Sequence, residues 1–191
     1  MRMIAIEKHF VNSPRHTLQV AHRAQQLLDL IDIQPAWRYL DVGCGVGATA
    51  CAIAKRYGLD VTGIDVDPRQ IDAARAREAY PCPAFMVMDA AKLQFDDAEF
   101  DIVATSKVTH HIPAWERAFS EMIRVLRPGG YLIYSDFMFP SWLADVGRRL
   151  IPFVGFPAAK RIESTASAAG LTKVHESRAG LRFDFIWAKN S

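Results

Sequence analysis

Tyr39-Leu40-Asp41-Val42-Gly43-Cys44-Gly45-Val46-Gly47 joins a short apolar run to three glycines at alternate positions, and a small-residue stretch from Ala48 to Tyr57 follows. The apolar run reads as a buried strand, the glycines as a tight turn, and the rest as a helix. Glycines at such a junction let the backbone turn sharply and bring its N–H groups against a ligand at the helix N-terminus. Gly58 follows as the left-handed cap that ends the helix.

Outward from this unit the same rhythm repeats. Val61 to Ile64 reads as a strand, and Asp67-Pro68 opens a helix through Ala79. Ala84 to Met88 and Phe100 to Thr105 read as two further strands. Pro113 opens a helix through Leu126, Pro128-Gly129-Gly130 stops it, and Tyr131 to Ser135 is a fifth strand. Upstream, Asn12-Ser13-Pro14 starts a helix over 14–31, with Leu18, Ala21, Ala24, Leu28 and Ile31 at helical spacing. Downstream, a helix over 159–169 ends at Gly170, and two strands near 171–177 and 181–189 close the chain. No element is placed between 137 and 158, where Phe137, Phe139, Trp142, Phe153 and Phe156 mix with prolines. Near-continuous apolar strands alternating with helices predict an α/β fold, a mostly parallel sheet covered on both faces.

At 191 residues, half of them hydrophobic, the chain has the size of one domain with a real core. The expected organisation is a single domain over 1–191, with an N-terminal helical cap at 1–36 and an aromatic insertion at 137–160. The greasiest region, Tyr131 to Pro157, is interrupted by Asp136, Asp145, Arg148 and Arg149. It therefore falls short of the roughly 20 apolar residues that a transmembrane helix needs. The N-terminus lacks the pattern of a signal peptide, and three cysteines make neither a disulfide set nor a CxxC pair. A cytoplasmic location is the expectation. Net charge is only +2, but residues 39–136 hold 10 Lys/Arg against 14 Asp/Glu while the flanks hold 13 against 7. So small an excess gives no reason to expect nucleic acid.

Gly43, Gly45 and Ala48 satisfy the looser dinucleotide pattern, so an NAD site has to be weighed. Asp41, two residues before the first glycine, would repel a pyrophosphate. S-adenosylmethionine carries no phosphate and offers an ammonium to an acid, a carboxylate to the loop and a ribose diol. Asp65 stands 24 positions after Asp41, where an acid can accept hydrogen bonds from both ribose hydroxyls. Asp67 is its rival, better explained as the cap of the helix that Pro68 opens. Asp89, at the end of the third strand, can accept a hydrogen bond from an adenine amino group, with Ala90 among its apolar neighbours. Acids at the ends of three successive strands stand where open α/β sheets bind ligands.

With these residues in place, YLDVGCGVG, VTGIDVDPRQI, FMVMDAAKLQFDDAEFDIV, HHI and RVLRPGGYLIYSD together resemble the class I S-adenosylmethionine methyltransferases. The resemblance is to the small-molecule branch of ubiquinone/menaquinone-type enzymes and covers roughly residues 37–136. It implies a Rossmann-like, doubly wound seven-stranded sheet with the last strand antiparallel. It also implies S-adenosylmethionine as cofactor, S-adenosylhomocysteine as product, and a cofactor site of Asp41, Gly43, Cys44, Gly45, Gly47, Asp65, Val66, Asp89, Ala90 and Ser106. Ser106 is expected near the sulfonium and Val66 beside the adenine.

A sulfonium methyl is already activated, so the protein has mainly to align an acceptor with it, which can supply roughly 7–11 kcal/mol. A histidine base helps where the acceptor carries a proton. His110 and His111 follow the fourth strand, and His111 matches a histidine frequent in this branch. His9, His16 and His22 lie on or before the first helix, and His16 and His22, six apart, do not share a face well, so no metal is expected. The aromatic stretch, with Arg148, Arg149, Lys160 and Arg161 nearby, predicts a small apolar or amphiphilic acceptor and permits peripheral membrane contact. The alternative is a catalytically silent module that binds S-adenosylmethionine. A nucleic-acid enzyme is disfavoured, because Thr105-Ser106-Lys107-Val108 stands where an (N/D)PP(Y/F)-type motif belongs.

Overall fold

The computed structural model describes residues 14–77, 82–151 and 153–190. The predicted cap residues Asn12 and Ser13, and His9, lie outside them. The chain divides into two compact units, one through Asp89 and one from Ala90 onward. The first holds α1 (Pro14–Leu28), β1 (Arg38–Val42), α2 (Ala48–Tyr57), β2 (Asp60–Asp65), α3 (Pro68–Arg75) and β3 (Ala84–Val87). The second holds β4 (Phe100–Ser106), a 3-10 turn (Thr109–His111), α4 (Trp115–Val125), β5 (Leu126–Phe137), α5 (Ser141–Leu150), α6 (Ala159–Ala168), β6 (Leu171–Ala179) and β7 (Arg182–Lys189). The strands make a seven-stranded sheet in the order β3-β2-β1-β4-β5-β7-β6. β7 runs antiparallel to both its neighbours, β5 and β6. The predicted α/β class and antiparallel last strand are both present.

In the first unit, β1, β2 and β3 pair in parallel, with Asp41 opposite Gly63 and Asp65 opposite Val87. β1 is buried from Tyr39 to Val42, as its apolar composition requires. α1 turns Ala21, Ala24, Leu27 and Leu28 inward and leaves Leu18 exposed. Its α-helical bonding stops at Leu28 rather than Ile31, because Leu30 and Ile31 tighten to Leu27 and Leu28 carbonyls. Tyr57 ties α1 to α2, its one hydroxyl proton shared between the Gln25 carbonyl (3.0 Å) and Asp29 (2.7 Å). Gly58 caps α2 in the left-handed region, φ 67°, as predicted. α3 ends at Arg75, short of the predicted Ala79, and residues 78–81 are outside the described set.

Phe85 sets the height of the glycine loop. A Cβ on Gly47 would lie 2.6 Å from its Cζ, and one on Gly63 2.9 Å from its Cδ1. Glycine at both positions lets the ring fill the space beneath the loop. Arg75 holds β3 in place by donating twice to the Phe85 carbonyl, at 3.1 and 2.7 Å.

The second unit has an aromatic core. Phe119 meets Tyr134 edge-on at 5.6 Å, and Phe185 stacks on Trp187 at 4.7 Å. α4 begins at Trp115 rather than Pro113 and ends at Val125. Lys189 donates its ammonium to the Ile123 and Leu126 carbonyls, which would otherwise go unpaired at the helix end. Pro128-Gly129-Gly130 is not a simple stop. It lies within β5, between the Phe100–Leu126 and Ile102–Tyr131 pairs, as an irregular insertion. Glycine is needed there, since a Cβ on Gly130 would sit 2.6 Å from the Asp101 carbonyl.

The 137–158 segment, where sequence placed no element, contains α5. Its Ala144 and Gly147 are buried, and a Cβ on Gly147 would come 2.5 Å from the Phe156 ring. Among the described residues no helix is long and apolar enough to cross a membrane.

Candidate active site

The cofactor residues expected from sequence fall mainly in the first unit. Gly43, Gly45 and Gly47 all take positive φ, 79°, 53° and 74°, which glycine adopts at little cost. The loop is anchored below by Gly43 and Cys44 N–H groups donating to the Ile64 carbonyl at 2.8 and 2.9 Å. Above Gly45 nothing lies within 4 Å of where a Cβ would stand. No side chain caps the start of α2 after Gly47. The loop is thus open on the Gly45 side, beside a helix N-terminus, where a carboxylate is favoured.

Asp41 ends up 5 % exposed, and its Oδ2 has no hydrogen-bond partner among the described residues. Burial first, and the nearby Asp65 charge second, push its carboxyl up to about 7. A buried carboxylate in that condition calls for a cation. Asp65, the last residue of β2, accepts from the Gly45 N–H at 3.0 Å and from the Asp67 N–H at 2.9 Å. Those bonds fix the carboxylate and leave lone pairs for further donors. Asp67 accepts from the Arg69 N–H at 3.0 Å and caps α3, as expected. Val66 is half exposed; Asp89, two residues past β3, is exposed.

A ligand with a cationic centre, a carboxylate and a diol fits these groups. A pyrophosphate does not, because two carboxylates border the loop. Cys44 is buried, and burial followed by the Asp41 and Asp65 charges pushes its thiol far up, so it is no nucleophile. It fills space beside Gly63.

The second unit carries Ala90, which is buried, and Ser106 at the end of β4. Lys107 takes φ 57°, unusual for a residue with a side chain, and its N–H donates to the Ser135 carbonyl at 2.8 Å. This turn brings the next amides onto one carboxylate that sequence reading had not singled out. Asp136, near the end of β5, is fully buried. Its Oδ2 accepts from the Val108 N–H (3.1 Å), the Thr109 N–H (2.7 Å) and the Thr109 hydroxyl (2.6 Å). Tyr134 donates its hydroxyl to Thr109 in turn. The Oδ1 accepts from the Phe137 N–H (2.7 Å) and from His110 Nδ1 (2.5 Å).

Burial alone would raise the Asp136 carboxyl, yet it is held below the ordinary range by His110, by its charge and hydrogen bond, and by Thr109 and Phe137. An ionised carboxylate only accepts, so Nδ1 carries a proton, and in the neutral ring Nε2 is the nitrogen left to accept one. His111, which sequence favoured, lies ring against ring with His110, centroids 3.9 Å apart. The carboxylate goes to its neighbour. The signal for Asp136 was available: an acid ending a buried strand is what marked Asp41 and Asp65.

Comparison with known proteins agrees with this geometry. Residues 40–134 match the family described as a methyltransferase domain. The 2-methyl-6-phytyl-1,4-hydroquinone methyltransferase of Synechocystis sp. is 33% identical over 182 residues, 88% of this chain and 56% of that protein. The phthiotriol/phenolphthiotriol dimycocerosates methyltransferase of Mycobacterium leprae is 37% identical over 100 residues, 52% of this chain and 37% of that one. The chain thus spans about half the length of the curated relatives it matches. Among solved structures, the geranyl diphosphate C-methyltransferase of Streptomyces coelicolor A3(2), in complex with Mg2+, geranyl diphosphate and S-adenosyl-L-homocysteine, superimposes with a TM-score of 0.73. It is 13% identical, over 93% of this chain and 85% of that one.

Fold and glycine loop together define a Rossmann-like methyltransferase. Over residues 40–134 the chain belongs to the methyltransferase-domain family, and it resembles the quinone-type members.

Proposed function

We infer that this chain methylates a lipophilic small molecule at an atom that gives up a proton, with His110 as general base. Bound S-adenosylmethionine supplies an activated sulfonium methyl group. Asp41 is the acid for its cationic portion, the open side of the glycine loop at the N-terminus of α2 receives its carboxylate, and Asp65 serves its ribose. Val66, Asp89 and Ala90 are assigned to the adenine and Ser106 to the neighbourhood of the methyl. The relatives named above act on a phytyl hydroquinone and on phthiotriols, which supports an apolar acceptor carrying a hydroxyl or an activated ring carbon.

The observation that carries the acceptor chemistry is the hydrogen bond from His110 Nδ1 to buried Asp136. It fixes one tautomer, aligns the ring, and stabilises the imidazolium formed when Nε2 takes a proton. Asp136 is a positioning residue, itself oriented by Thr109 and the amides of the 3-10 turn. His111 supports the ring of His110 rather than acting as the base.

Incubation with methyl-labelled S-adenosylmethionine and a panel of prenylated hydroquinones, phenols and long-chain alcohols tests the assignment. The expected result is transfer to an apolar member of the panel. His110→Ala is expected to lower that rate roughly a hundredfold or more, and His111→Ala much less. Calorimetry should show cofactor binding unchanged in both. Cofactor binding without transfer to any acceptor class would instead favour the silent binding module.

A further inference from the structure

One face of α5 is unpartnered. Trp142, Val146 and Leu150 recur every four residues and are 69%, 46% and 74% exposed, and Phe153 beyond the helix is 64% exposed. The opposite face, Ala144 and Gly147, is the one that packs. So many large apolar side chains at helical spacing facing water mark an interaction surface.

The charges around the stripe sort by sign. The acids are already engaged: Asp145 by Arg148 (2.7 Å) and Arg161 (2.8 Å), and Glu116 by Arg148 (2.9 Å). Arg149, seven residues after Trp142 and so on the same helix face, is exposed and makes no ion pair among the described residues. Lys160, at the start of α6, is likewise without an acid. Trp142 is also one wall of an apolar cavity of about 370 Å³, whose other walls include Phe139, Leu181 and Phe183, with Lys160 and Arg178 at its edge. Arg178 lies over the Phe183 ring and donates to the Gly180 carbonyl, and no acidic residue lines the cavity.

An apolar stripe led by a tryptophan, flanked by unpaired cations and beside an acid-free apolar cavity, has the complement of an anionic bilayer surface. We propose that this face docks on anionic membrane lipid. The α5 stripe inserts among acyl chains, Arg149, Lys160 and Arg178 meet the headgroup charge, and the cavity takes the end of one lipid chain. The inference goes beyond methyl transfer and does not depend on it.

The test is co-sedimentation of the full chain with vesicles of equimolar phosphatidylcholine and phosphatidylglycerol, against vesicles of phosphatidylcholine alone. The anionic vesicles are expected to bind it, the zwitterionic ones much more weakly, and added salt to weaken binding. The paired substitution Trp142→Ala with Leu150→Ser should cut partitioning roughly tenfold or more. Arg149→Glu and Lys160→Glu should each cut it roughly fivefold or more. All four side chains are exposed, so cofactor affinity by calorimetry should stay unchanged and reports folding separately. Three outcomes overturn the proposal: no binding to anionic vesicles, binding that none of these variants weakens, or a dimer in sedimentation that the Trp142/Leu150 variant splits, which would give the face to a second copy.

Discussion

Asp41 and Asp136 are the same side chain in the same kind of place, buried at the end of a strand, and they stand in opposite states. Asp136 has its oxygens saturated by four amides, a hydroxyl and an imidazole, and its carboxyl is held low despite burial. Asp41 has an oxygen with no partner among the described residues, and burial with Asp65 beside it raises its carboxyl to about 7. Desolvation acts on both; the supply of donors separates them. One carboxylate is completed from within the chain and serves to orient His110. The other, in the function we propose, is completed by the cationic part of a bound cofactor. An enzyme that uses a cationic cofactor has reason to keep one acid incomplete.

Removing the charge from each should therefore move stability in opposite directions. The larger effect belongs to Asp136→Asn, which turns its N–H donors toward an amide that cannot accept them all. Losing one partner of a buried, hydrogen-bonded pair costs about 3–5 kcal/mol, to be read from urea unfolding. Asp41→Asn should instead stabilise the cofactor-free protein at pH 8. A carboxyl raised from 3.8 to about 7 corresponds to about 4 kcal/mol against the ion, of which an isosteric amide should recover about half. The same variant should bind S-adenosylmethionine at least tenfold more weakly. If Asp41→Asn destabilises the free protein, the incomplete-carboxylate account is wrong.

The pH dependence sharpens the contrast. Between about pH 4 and 7 folded Asp41 holds a proton that the unfolded chain has released, so stability from this group falls as pH rises through that window and is level above it. Folded Asp136 releases its proton below the ordinary carboxylate value. Its contribution is present above about pH 4 and is lost as pH falls through the lower folded value. Asp41→Asn should flatten the first slope and Asp136→Asn the second, in thermal melts across pH 3–8.

A steric probe confined to the first unit should act next. Gly47→Ala puts a methyl 2.6 Å from Phe85 at φ 74°, combining a disfavoured backbone with overpacking. About 2 kcal/mol of stability should be lost. Cofactor affinity should fall with it, because the loop must lift off the ring.

These two carboxylates also mark what sequence could and could not reveal. Asp41 and Asp65 stood out because acids are rare at the ends of apolar strands and a glycine loop lay between them. The strands were legible as apolar runs, and Gly58 and Asp67-Pro68 fixed the helix ends. His110 and Asp136 lie 26 residues apart on different elements, and only the positive-φ turn at Lys107 brings them together. No local pattern shows that. α5 escaped for a related reason: its clearest periodicity, Trp142, Val146 and Leu150, faces outward, and the prolines around it read as loop. Gly130 of β5 read as part of a stop because its purpose, clearance from the Asp101 carbonyl, lies on another strand.

The smallest effect tests an ambiguity present from the start, whether Asp65 or Asp67 takes the ribose. Asp67 gives two things to this region. Its carboxylate caps α3 through the Arg69 N–H, and its backbone N–H donates to Asp65 Oδ1. Asp67→Ala removes the first and leaves the second. The expected cost is about 1 kcal/mol of stability, the usual worth of a cap. Affinity for S-adenosylmethionine should change less than roughly twofold, since the amide that orients Asp65 remains. Asp65→Ala should weaken binding far more, because the carboxylate that accepts from Gly45 is the one we propose as the ribose acceptor. If calorimetry finds the two variants equally damaged, the diol belongs to Asp67, and Asp65 is only the brace beneath the loop.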